Sequence, residues 1–123
     1  MKNNPVGWFE IYVQDMERAK RFYEAVFQIK LEKLDSPGLE MWSFQMNNDR
    51  YGASGSLIKM AGFPSSGNGT LVYFSCKDCA IELGRVAASG GRIQREKTSI
   101  GQYGFAAHAF DTEGNMFGLH SMR

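Results

Sequence analysis

Glu10 and His120 are the residues of this chain best suited to moving a proton. Glu10 stands in WFEIYV, a stretch that alternates between two faces, so it shares one face with Trp8 and Tyr12 while Phe9, Ile11 and Val13 form the other. By the same period His120 shares a face with Met116, Gly118 and Met122. An imidazole is neutral or protonated near pH 7: oriented by Glu10 it is a general base, and on its own it is a hydrogen-bonding group in a cavity wall. Glu10 and His120 are therefore the catalytic candidates. Trp8, Glu10, Tyr12, Ser56, Tyr73 and His120 are the ligand-binding candidates. Aromatic walls with a few polar tips suit a planar or amphiphilic small molecule, and the same residues equally fill a core or a subunit seam. Tyr103 and Phe105 are further candidates for that face. The second histidine, His108, alternates with Ala107 and Ala109 and is expected to face a helix or a subunit contact in a structural role.

Two other motifs invite chemistry and carry less. Cys76 and Cys79 in SCKDCA have the spacing of a redox or zinc motif, but no second close pair of ligands exists, and Lys77 and Asp78 are not thioredoxin-like neighbours. The expectation is one buried cysteine and one at a helix start. GASGSL, Gly52 to Leu57, has the composition of a phosphate loop without its lysine or following helix, so its small residues are expected to leave room for the cup or for close strand approach.

These residues need a scaffold, and the chain supplies one small enough to define. At 123 residues, 43% hydrophobic and 22% charged, it suits a single globular domain with its own core. The formal net charge of +1, without a lysine or arginine run, gives no electrostatic footprint for nucleic acid or an anionic membrane. MKNNPVGW lacks the apolar run of a signal peptide and no stretch approaches the ~20 apolar residues of a membrane helix, so a cytoplasmic location is expected.

The order of elements is written twice. After the alternating strand, Asp15 caps a helix expected to run to about Val26, with Ala19, Phe22, Tyr23 and Val26 as its apolar stripe and Phe22 and Tyr23 in the core. Strands follow at Lys30–Leu34, Glu40–Met46 and Gly55–Met60, with turns at Ser36–Gly38 and Asn47–Gly52. Ala61–Gly69, rich in Gly, Ser, Asn and Pro, reads as a linker. Beyond it a strand at Thr70–Cys76, an Asp78 cap, a helix near Ala80–Ala88 and strands at Arg92–Lys97, Tyr103–Phe110 and Met116–Met122 repeat the pattern. The fold expected is α+β: two βαβββ modules, residues 6–60 and 70–122 joined by linker 61–69. Each helix covers the outer face of a curved sheet, and the inner faces surround a cup.

IYVQDMERAKRFYEAVF near the start and FDTEGNMFGLHS near the end resemble the glyoxalase, bleomycin-resistance and extradiol-dioxygenase superfamily, also called vicinal oxygen chelate proteins, in its small glyoxalase-like members. The resemblance covers nearly the whole chain and implies paired βαβββ modules enclosing a cup, often in a homodimer. It also implies a divalent metal held by histidine and glutamate from the first and fourth strands of each module, where it would polarise substrate oxygens. The positions matching those ligands here are Trp8, Ser54, Leu71 and Gly118, so the usual metal is not expected and the cofactor stays unknown. Three functions follow: a small-molecule binder with an aromatic-lined cup and no family metal; a lyase, isomerase or dioxygenase with a relocated metal site using Glu10 and His120, which supply only two strong ligands; or an interaction module whose cup is filled by its own side chains or those of a partner. A homodimer is expected.

Overall fold

The computed structural model of the protein describes residues 4–49 and 52–123, so part of the expected turn at Asn47–Gly52 lies outside the described residues. The order is β1 (Val6–Tyr12), α1 (Met16–Phe27), β2 (Glu32–Leu34), β3 (Glu40–Ser43), β4 (Ser54–Lys59), then β5 (Thr70–Ser75), α2 (Cys79–Leu83), β6 (Arg92–Ser99), a 3-10 turn at Gly101–Tyr103, β7 (Phe105–Phe110) and β8 (Met116–Ser121). This is βαβββ twice, the α+β pattern expected. The chain forms two compact units. The first is Phe9–Thr70; the second is Leu71–Arg123 together with the chain up to Trp8.

In the first unit the strand order is β2-β3-β4-β1, with β2, β3 and β4 antiparallel. Asp15 caps α1 by accepting a hydrogen bond from the Arg18 amide at 3.0 Å, and Gln28 closes it in a left-handed conformation. The helix packs through Met16, Ala19 and Tyr23 onto Ile11, Val13, Leu57 and Phe44, which puts the Phe9, Ile11 and Val13 face of β1 under the helix as alternation requires. Phe22 does not join this core and is 59% exposed. The buried stripe passes through Met16, Ala19 and Tyr23, so Phe22 and Val26 fall on the neighbouring, outward face. A side chain at Gly55 would collide with the Phe9 ring, which accounts for the small residues of GASGSL as a close strand approach. Residues 61–69 are folded back rather than slack. The Gly69 carbonyl accepts from the Tyr12 amide at 2.7 Å, and Phe63 stacks on Tyr12 with ring centroids 4.9 Å apart.

In the second unit the order is β5-β8-β7-β6, with β5 and β8 parallel and the other pairs antiparallel. Asp78 caps α2 through the Ala80 amide and also holds Lys97 at 2.8 Å. The helix ends at Leu83 instead of extending to Ala88, because Gly84 follows and the chain continues in short turns closed by Val86, Ser89 and Gly90 amides. The core under α2 joins Cys79, Leu83, Ala107, Ala109 and Leu119, with Phe74, Phe105 and Phe117 against it. Phe105 therefore faces the helix and not the opposite face. Tyr103 lies in the 3-10 turn, where Gly101 and Gly104 take positive φ and the Ile100 amide bonds the Gly104 carbonyl.

Candidate functional site

In each unit the candidate residues lie on the sheet face turned away from that unit's helix. In the first unit Glu10 and Tyr12 point there, and both are buried, at 7% and 5% exposure. The Tyr12 hydroxyl donates to Glu10 Oε1 at 2.9 Å. Burial, then the charge of Glu10, raises the Tyr12 phenol above its ordinary range, so it remains a hydrogen-bond donor. Ser56 shares the direction, since Leu57 after it faces the helix. Its hydroxyl is fully buried and has no hydrogen-bond partner.

In the second unit the ladder aligns Tyr73 of β5 with Gly118 of β8, and Gly118 with His108 of β7. The Tyr73 ring lies over Gly118, in the space a side chain there would take. Across that gap the Tyr73 hydroxyl and His108 Nε2 are 2.7 Å apart. Of the two expectations for His108, the helix side is excluded: Ala107 and Ala109 face the helix, and the histidine between them faces away. The small alanines let α2 approach the sheet closely, which reserves that face for them. Burial, then the nearby Arg95 cation, pushes the His108 imidazole down to about 4, so it is neutral near pH 7.

His120 lies on the Gly118 face, two residues along. Its Nε2 is 2.6 Å from the Tyr103 carbonyl oxygen. A carbonyl only accepts, so Nε2 carries the proton and the lone pair of the neutral ring sits on Nδ1. Trp8, half-buried, belongs to the second unit, as does His120, whereas Glu10 belongs to the first.

The positions the resemblance assigns to metal ligands do not fit a metal. Leu71 is apolar and 2% exposed, the Gly118 space is filled by the Tyr73 ring, and the Ser54 hydroxyl donates to the Phe44 carbonyl at 3.0 Å. Among the described residues no three His, Cys, Asp or Glu side chains are grouped as a metal would need. The two cysteines are free thiols. Cys79 is fully buried in the α2 core, and the Cys76 thiol, pushed up to about 11 by burial and then by Glu82, is not an activated nucleophile.

Residues 6–119 match the model of the Glyoxalase/Bleomycin resistance protein/Dioxygenase superfamily. The chain belongs to that superfamily. Among solved structures, a hypothetical protein from Bacillus halodurans C-125 is similar with a TM-score of 0.74 at 14% identity, covering 99% of this chain and 96% of its own. Methylmalonyl-CoA epimerase from Mycobacterium tuberculosis gives a TM-score of 0.70 at 14% identity, covering 97% of this chain and 88% of its own. A variant of the Streptomyces coelicolor methylmalonyl-CoA epimerase in complex with 2-nitronate-propionyl-CoA gives 0.69 at 14% identity, covering 96% of each chain. Likeness at these identities is a likeness of fold. No curated protein sequence matches the chain.

Within the glyoxalase fold, the residue that sequence reasoning missed is His108. The signal was present: the β7–β8 hairpin closes over Asp111–Asn115, and its register sets His108 opposite Gly118 rather than Leu119.

Proposed function

We propose that this glyoxalase-superfamily protein binds a small molecule on the sheet faces turned from its helices, without a metal at the usual family positions. The observation that carries this is the row Tyr73–Gly118–His108. Where the resemblance puts an acidic ligand there is a glycine, and the space is taken by a hydrogen-bonded tyrosine and histidine. A face meant only to be core would be filled by aliphatic side chains, because each buried polar group must be matched to a partner. In the first unit Tyr12 supplies apolar area and Glu10 and Ser56 supply polar contacts; in the second Trp8 and Tyr73 supply apolar area and His120 a polar contact. A fold neighbour that holds 2-nitronate-propionyl-CoA makes an acyl thioester a reasonable first probe.

The protein is proposed to act as a cytoplasmic homodimer. Free thiols at Cys76 and Cys79 suit a reducing compartment, and no helix among the described residues is long and apolar enough to cross a membrane. Exposed Phe22, Val26 and Phe27 on α1 suit a subunit contact.

Chelator-treated protein is screened against acyl-CoA esters and planar aromatic acids by intrinsic fluorescence. Saturable binding that Trp8→Ala weakens at least tenfold is the expected result; no binding across the set overturns the reading.

One observation favours a second, enzymatic reading with a relocated metal. The Tyr103 carbonyl fixes His120 in the tautomer whose Nδ1 accepts a proton or a metal ion, and Glu10 is the buried carboxylate of the candidate set. Elemental analysis of protein purified without chelator decides it. About one transition metal per chain, lost in Glu10→Gln and His120→Ala, supports this reading, and a value near zero after incubation with Zn, Ni, Mn and Fe removes it.

A further inference from the structure

We infer that the second unit takes a carboxylate group of its bound molecule between His108 and Arg95, a step that rests on the small-molecule reading above. His108 is 6% exposed, and its two nitrogens are unequally served. Nε2 meets the Tyr73 hydroxyl, while Nδ1 is buried with no hydrogen-bond partner. A buried nitrogen left without a hydrogen bond carries its full desolvation penalty. Such a group in a native fold calls for an explanation, and a ligand that bonds to it supplies one.

Arg95 is the group that says which ligand. It is the β6 residue opposite His108 in the ladder, so the two side chains rise from the same face of neighbouring strands. It is exposed, and the ion pairs among the described residues are Lys20 with Glu17 and Lys97 with Asp78, so no acidic side chain there pairs with Arg95 in a salt bridge. On the same face of this unit stand Tyr73 of β5, Ala106 and Phe110 of β7, and Met116, Gly118 and His120 of β8, none of which brings a negative charge. An orphaned imidazole nitrogen next to an unpaired guanidinium lacks one thing, an anionic oxygen pair. A carboxylate fits: one oxygen accepts from Nδ1–H and the other from the guanidinium, each bond strengthened by the charge. An uncharged amide would leave the guanidinium's charge unmatched.

Malonate titrated into the full-length 15N-labelled chain at neutral pH tests this directly. The expected result is saturable movement of the His108 imidazole and Arg95 guanidinium resonances. Arg95→Gln, a surface change that leaves the fold intact, weakens binding about tenfold or more, and Arg95→Lys retains much of it. His108 resonances that stay fixed up to the solubility limit, or an Arg95→Gln variant that binds as tightly as the parent, overturn the inference. So does a response to inorganic phosphate with none to malonate. Binding of an acyl-CoA ester without a free carboxylate, measured on the same samples, separates the two levels: its persistence with malonate silent removes only the carboxylate assignment, and loss of both removes the small-molecule reading as well.

Discussion

The Tyr73 hydroxyl and His108 Nε2 lie 2.7 Å apart, and the residue between them in the ladder is Gly118. Glycine there is a steric requirement, since the Tyr73 ring occupies the position of the missing Cβ. Gly118→Ala is expected to destabilise the protein by about 1–3 kcal/mol through overpacking, and Gly118→Glu by more. Reinstalling the acid of the metal enzymes therefore fails to build a metal site in this chain unless Tyr73 is also made small. Urea unfolding of the single variants and of Gly118→Glu combined with Tyr73→Ala measures this. Equal stability of Gly118→Ala and the parent would remove the steric account.

His108 makes stability depend on pH in a defined window. Its ordinary value of 6.5 falls to about 4 in the fold, chiefly through burial and secondarily through Arg95. Between these values the unfolded chain takes up a proton that the folded chain refuses, so stability falls as pH is lowered through the window and is unaffected by this group above it. The loss is at most roughly 3 kcal/mol. His108→Gln should flatten that part of the urea-midpoint profile between pH 7 and pH 4. A profile unchanged by the substitution would place the acid sensitivity elsewhere.

Much of this architecture is legible before any coordinates. The period change after Val13 and the caps at Asp15 and Asp78 locate both helices, and alternation along β1 assigns Phe9, Ile11 and Val13 to the helix side. What alternation cannot supply is phase. In FAAHAF both faces carry small or mixed residues, so the pattern alone does not say whether His108 or its alanine neighbours meet α2. Phase came from the hairpin register and from how closely α2 sits on Ala107 and Ala109. Phe22 is a related case. Its hydrophobicity argued for the core, but the helix rotates about Met16, Ala19 and Tyr23, and Phe22 falls outside. The Tyr73–His108 bond was illegible for a different reason, since it depends on a glycine being vacant and on a parallel pairing of strands far apart in sequence.

The cysteines give a prediction that separates a redox motif from two structural thiols. With Cys76 pushed up to about 11, little of its thiolate exists near neutral pH, and Cys79 is shielded from reagents by full burial. Thiol labelling of the folded protein at pH 7 should be slow at Cys76 and confined at Cys79 to the unfolded state, with both reacting at once in denaturant. Rapid labelling of either residue in the native state, or a disulfide that forms under mild oxidation without loss of structure, would reopen a redox role.

The outward face of α1 gives the test of the proposed dimer. Phe22, Val26 and Phe27 are 59%, 56% and 61% exposed, a concentration of apolar surface that a lone soluble helix rarely carries. A stable interface buries about 800 Å² on each partner, so three such side chains would form its centre rather than all of it. Phe22→Ser with Val26→Ser removes that centre and touches none of the α1 contacts with Val13, Leu57 or Phe44. Sedimentation should then shift from dimer to monomer at micromolar concentration, with far-UV dichroism unchanged. A parent that already sediments as a monomer overturns the dimer, and a variant that remains dimeric moves the contact to another face of the molecule.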